Sequence, residues 1–80
     1  MKIPRDITGL DLAKALKRYG CEIGRQTGSH LRLMTQLNGE HHITIPRHNP
    51  LKIGTLSAIL SDVAIHLEKE RGKFIEELWG

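Results

Sequence analysis

The chain has a single cysteine, Cys21, among 80 residues, so an intramolecular disulfide is impossible and nothing argues for an oxidising compartment. It also lacks any apolar run near the roughly 20 residues needed to span a bilayer. Met1 to Gly9 is polar and interrupted by Pro4, without the apolar stretch of a signal peptide. These absences lead to the expectation of a cytoplasmic location. No internal repeat or low-complexity segment is present, and the length excludes a large second layer of machinery. The expectation is one domain over 1–80. Hydrophobic residues make up 39% and charged residues 26%, too apolar for disorder and sufficient for a modest core.

Net charge is +3, but it is placed unevenly. Residues 1–54 hold nine Lys or Arg against four Asp or Glu, whereas 55–80 hold three against five. A basic front section suits a polyanionic partner through phosphate contacts and counterion release, although many basic surfaces bind nothing.

From Thr8 to Tyr19 the residues Leu12, Ala15, Leu16 and Tyr19 recur at helical spacing opposite Lys14, Lys17 and Arg18. Thr8 is placed to cap this helix, Asp11 suits its positive end, and Gly20 stops it. Cys21 to Gln26 reads as a strand ended by Thr27-Gly28. Ser29 to Gln36 and His41 to Ile45 alternate apolar and polar positions, as half-buried strands do. Parity fixes their pairing, because opposite residues share a face. A two-residue Asn38-Gly39 turn would set Leu33 against Thr44. A three-residue loop, Leu37-Asn38-Gly39, pairs Leu33 with Ile43 and Leu31 with Ile45. His30, Arg32, His42 and Thr44 then share the face away from the core. Pro46 ends the last strand and Arg47 to Pro50 forms a loop. Leu56, Ile59, Leu60 and Val63 mark a helix over 54–64, with Ser57, Ser61 and Asp62 on its polar side. A further helix is predicted over 68–78, where Leu67, Phe74, Ile75, Leu78 and Trp79 face inward and Gly72 weakens it. The fold class expected is α+β: a three-stranded antiparallel sheet with helices on one face and the other face open.

Gly20-Cys21-Glu22, Gly28-Ser29-His30, Ile43-Thr44-Ile45-Pro46-Arg47-His48, Gly54-Thr55-Leu56 and Ile59-Leu60 occur in an order and spacing that resembles the HicA toxin family over about residues 6–64. The resemblance implies a fold similar to double-stranded-RNA-binding domains, α-β-β-β-α, leaving 65–80 as a helical extension. It implies a toxin of a type II toxin–antitoxin system, an RNA endonuclease (mRNA interferase) restrained by a HicB-like antitoxin. The histidine of the family's Gly-Ser-His motif falls on His30. The second helix is poorer in basic residues than in many relatives, which bears on RNA affinity. The acidic stretch 67–80 is longer than the family requires, and reads either as a partner surface or as added core.

The residues themselves are consistent with that chemistry. Metal-free RNA cleavage needs a base for the 2′-hydroxyl proton and an acid for the leaving oxygen, and a histidine serves either role near neutral pH. His30 is the candidate, against the competing reading of an exposed strand-start histidine with no task. Gly28 and Ser29 would let backbone amides approach a phosphate. His48 is the candidate second acid or base, because the hairpin register places Pro46 opposite His30, two residues before His48, and an ordinary loop histidine is the competing reading. Arg25, Arg32, Arg47 and Lys52 are expected near His30 as phosphate contacts. His41 and His42 point to opposite faces and Cys21 stands alone, so no structural zinc and no cofactor are expected. The alternative function is an RNA-binding module of the same fold without cleavage, and a third is a protein-interaction domain.

Overall fold

Thr8 starts the first helix, α1 (Gly9–Leu16), in a computed structural model that describes residues 3–79; Met1, Lys2 and Gly80, counted within the expected 1–80 span, lie outside it. The Thr8 hydroxyl accepts the Asp11 N–H at 3.0 Å, and the Asp11 carboxylate accepts the Thr8 N–H at 3.1 Å. This reciprocal capping box satisfies two orphan donors of the first turn. Hydrogen bonds to the Thr8 backbone and hydroxyl hold the Asp11 carboxyl below its ordinary value. A 3-10 turn, Lys17–Tyr19, follows and ends at Gly20 with φ 74°.

The buried stripe of α1 is Gly9, Leu12, Ala13 and Leu16. Ala13 replaces the expected Ala15, which is only half-buried. Gly9 explains the shift. A Cβ there would meet the Pro46 carbonyl oxygen at 2.6 Å, so the helix leans its bare backbone on the end of the sheet. A glycine does not register in a count of apolar positions.

The sheet has strand order β1–β2–β3, all antiparallel: β1 Glu22–Gln26, β2 His30–Thr35 and β3 His41–Pro46. Leu33 pairs with Ile43 and Leu31 with Ile45, the register that parity required. The ladder ends at Thr35 and His41. Asn38 and Gly39 both take left-handed backbone, with φ 58° and 98°. Cys21 is a buried free thiol just before β1. Thr35 is also buried, and its hydroxyl donates to the Tyr19 carbonyl at 2.8 Å, tying the sheet to the end of α1.

A register shift between Ile23 and Arg25 inserts Gly24 as a bulge in β1. Its consequence is directional. Uninterrupted pairing from Ile23 and Leu33 would set Arg25 against Leu31, on the core side. The extra residue sets Arg25 against Arg32 instead, on the open side.

The second helix, α2 (Ile53–His66), runs slightly beyond the expected 54–64 and buries Leu56, Leu60, Val63 and Ala64. The third, α3 (Arg71–Trp79), starts three residues later than the expected Glu68. Glu68 is in the left-handed region at φ 55°, which breaks the chain direction. Glu70 supplies the cap, its carboxylate accepting the Gly72 and Lys73 N–H groups at 2.9 and 3.0 Å. Gly72 therefore sits in the first turn and is buried.

Phe74 and Ile75 enter the same core as Leu12, Leu16, Leu31, Leu33, Ile45, Leu56 and Leu60, and Leu67, Leu78 and Trp79 pack against it. The C-terminal stretch is thus added core. Arg71 fastens α3 to α2 by donating to the hydroxyls of Ser61 and Ser57. The helices cover one face of the sheet; His30, Arg32, Met34, His42 and Thr44 stand exposed on the other. Among the described residues no helix is long and apolar enough to cross a membrane.

Candidate nucleic-acid interface

The connection from β1 to β2 is Thr27, Gly28 and Ser29, closed by the Thr27 N–H donating to the His30 carbonyl at 2.9 Å. The His30 and Ser29 N–H groups both donate to the Thr27 hydroxyl, at 3.0 and 3.3 Å. From the far side, Arg47 reaches across. Its guanidinium donates to the Thr27 carbonyl at 3.2 Å and its backbone N–H to the Ser29 carbonyl at 2.8 Å. His30 thus opens β2 from a turn gripped by the segment that follows β3.

A shallow concavity of about 320 Å³ lies on the open face, lined by Arg25, Thr27, His30, Arg32 and Thr44. His30, Arg25 and Arg32 are all exposed. Like charges directly opposite across strands are destabilising, yet Arg25 faces Arg32 and neither forms an ion pair with a described residue. Two guanidiniums, an imidazole and two hydroxyls make a set that suits a phosphate, since guanidinium bonds planar oxyanions in a bidentate fork. The lining holds no carboxylate, the donor a hard divalent cation would want.

Of the residues expected near His30, the structure brings Arg25 and Arg32 into this concavity and Arg47 against its rim. Gly28 has open space where a Cβ would stand, so a ligand can approach its backbone. Ser29 differs from expectation, because its N–H is already given to Thr27. His48 lines a different concavity of about 210 Å³, with Thr8, Gly9, Leu10, Arg47 and Asn49. Arg47 links the two, lining the second and bonding Thr27 of the first. Lys52 lies in a third hollow, of about 470 Å³, lined also by Ile3, Arg5, Asp6, Pro50, Leu51 and Ile53. That hollow is larger than the one at His30 but holds no imidazole. The cause of both displacements is the path after Pro46. The His48 carbonyl accepts the Gly9 N–H at 3.3 Å and the Leu51 N–H donates to the Ile7 carbonyl at 2.8 Å, which wraps the loop around the start of α1.

The sequence reading missed Thr27 as a site residue and the bulge at Gly24. A hydroxyl three residues before the histidine, at a strand end, is the one signal that pointed to the first. Nothing local pointed to the second beyond a glycine inside a strand.

The other histidines serve the opposite end of the sheet. His41 bonds Asp62 at 2.8 Å and stacks on His66, ring centroids 4.3 Å apart. His66 Nε2 lies 3.0 Å from the carbonyls of Leu37 and Gly39, clasping the β2–β3 turn to the end of α2. His42 bonds Glu40 at 2.8 Å. Among the described residues no three His, Cys, Asp or Glu side chains converge as a metal site would require.

A family described as "HicA toxin of bacterial toxin-antitoxin" matches residues 9–65. That span runs from the first residue of α1 to the last turn of α2 and includes the whole concavity. Neither the curated proteins nor the solved structures yield a match.

Proposed function

The chain belongs to the HicA toxin family of bacterial toxin–antitoxin systems, and on that premise we propose that it is a metal-independent RNA endonuclease acting through His30. The observation that carries this reading is the grouping of an exposed imidazole with two facing guanidiniums, neither in an ion pair with a described residue, in one concavity.

In this mechanism Arg25 and Arg32 receive the scissile phosphate and stabilise the charge that builds on its oxygens. The His30 imidazole takes the proton of the adjacent 2′-hydroxyl. The 2′-oxygen bonds to phosphorus and the bond to the 5′-oxygen breaks, leaving a 2′,3′-cyclic phosphate and a 5′-hydroxyl. The 5′-oxygen takes its proton from a second group. His48 stands as the candidate, reached along Arg47, which lines the His48 concavity and bonds Thr27 at the edge of the other. Thr44 and the open side of Gly28 complete the surface available to the sugar-phosphate chain, while Lys52, on the far side of the loop, contributes only to RNA lying beyond the site. The antitoxin, a HicB-like protein, restrains this activity, and the substrate is cellular mRNA.

Induction of the chain in cells beside His30→Ala at matched protein levels tests the reading. Growth arrest with loss of intact RNA is expected from the first and neither from the second. Arrest and RNA loss with both would remove His30 from the chemistry; intact RNA with both would leave a module that binds without cutting.

A further inference from the structure

We infer that Thr27 is the positioning residue for His30, an inference that rests on His30 doing the chemistry. A four-residue β-turn is ordinarily closed by the carbonyl of its first residue accepting the N–H of its fourth. Here those residues are Thr27 and His30, and the His30 N–H goes to the Thr27 hydroxyl at 3.0 Å. The same oxygen accepts the Ser29 N–H at 3.3 Å and lies 3.4 Å from the His30 carbonyl, to which its own proton points. One hydroxyl thereby uses its donor and both lone pairs on the two residues that present the imidazole.

This substitution frees the Thr27 carbonyl, and the freed carbonyl is what the Arg47 guanidinium holds at 3.2 Å. The turn is therefore fixed from two sides, by a side chain within it and by the segment leaving β3. The direction of the His30 Cα–Cβ bond follows from that backbone, and with it the distance from the imidazole to Arg25 and Arg32. A general base works only within hydrogen-bond reach of its proton, and a displacement of about 1 Å can lower a rate about 100-fold. Thr27 touches the backbone of His30, so its effect falls on turnover more than on binding.

Thr27→Val removes the acceptor at nearly constant volume, and Thr27→Ser restores it. Steady-state cleavage of an RNA oligonucleotide and amide hydrogen exchange by NMR are measured on both, beside the unaltered chain and His30→Ala. Thr27→Val is expected to lower kcat about 10- to 100-fold with KM within about twofold. The Ser29 and His30 amides should exchange about tenfold faster, in line with the loss of one net hydrogen bond, while those of Leu31 and Leu33 stay unchanged. Thr27→Ser should recover both readouts. Unchanged turnover or unchanged exchange in Thr27→Val, or a Thr27→Ser as slow as Thr27→Val, overturns the role. If the unaltered chain cuts no RNA, the endonuclease reading fails by itself and the two amides decide whether Thr27 sets the His30 backbone. Thr27→Ala serves in place of Thr27→Val if the latter does not fold.

Discussion

Phe74 is fully buried and its ring centroid lies 5.1 Å from that of Tyr19, in a tilted pair that joins α3 to the end of α1. Tilted aromatic pairs add to what burial alone contributes. Lys69 sits over the Tyr19 ring at 5.7 Å and pairs with Glu77 at 3.2 Å, and the Tyr19 hydroxyl donates to the Glu77 carboxylate. Burial and that carboxylate push the Tyr19 hydroxyl up to about 12. Phe74→Ala should cost about 3–5 kcal/mol, a large part of the roughly 5–15 kcal/mol that folded proteins possess. Urea denaturation checks this: a midpoint equal to that of the unaltered chain would show that α3 is dispensable. His30 stands at the other extreme. It is exposed and its side chain bonds no described residue, so His30→Ala should leave the unfolding free energy within about 0.5 kcal/mol of unchanged.

At the scale of elements, α1 and α3 each begin on an ionised carboxylate, whereas α2 has no side-chain cap. Asp11 accepts from Thr8, and Glu70 from the backbone N–H groups of Gly72 and Lys73; these bonds hold both carboxyls below their ordinary values. Glu77 is lowered by the Tyr19 hydroxyl and Lys69. In each case folding favours the charged form, so the stability contributed is complete above the unfolded-state value of about 4 and is lost as pH falls through the lower folded value. Tyr19, raised, works in reverse: its share is present below about 10 and lost as pH rises through about 12. Glu70→Gln should therefore show a smaller fall in Tm between about pH 6 and about pH 3 than the unaltered chain. An identical fall would mean that Glu70 caps α3 without its charge.

Elements also show what a sequence discloses. Leu31, Leu33, Ile43 and Ile45 fixed the β2–β3 register, because a three-residue loop puts all four on one face and a two-residue loop does not. That parity was enough to bring His30, Arg32 and Thr44 to the open side. Thr8 and Asp11 disclosed their cap through spacing alone. The places that stayed illegible depend on partners distant along the chain. The turn to α2 is set by Gly9 and Ile7 bonding the loop, and His48 and Lys52 moved with it. Glu68 continues the helical pattern in composition but takes left-handed backbone, so the start of α3 fell later. Arg25 reached the site through a bulge that alternation does not encode.

For the whole molecule, the sheet divides into a packed face and an open one. The helices seal one side of the sheet around a shared core, and the free side presents Arg25, Arg32 and His30 next to Arg47. Facing guanidiniums cost stability in isolation and gain from a polyanion. Single-stranded RNA should bind with a salt dependence whose slope falls by about 0.7 for each phosphate contact removed. Arg25→Ala and Arg32→Ala should each reduce it by about that amount in anisotropy titrations across a salt series; a slope unmoved by either would take the RNA off this face.

On the proposed reading, the concavity around His30 cleaves RNA without a metal. Incubating the purified chain with an end-labelled RNA in excess chelator, beside His30→Ala of equal Tm, tests it most directly. The expected result is cleavage that survives the chelator, leaves 2′,3′-cyclic phosphate ends and disappears with His30→Ala. Cleavage that stops with the chelator, or continues undiminished in His30→Ala, would contradict it.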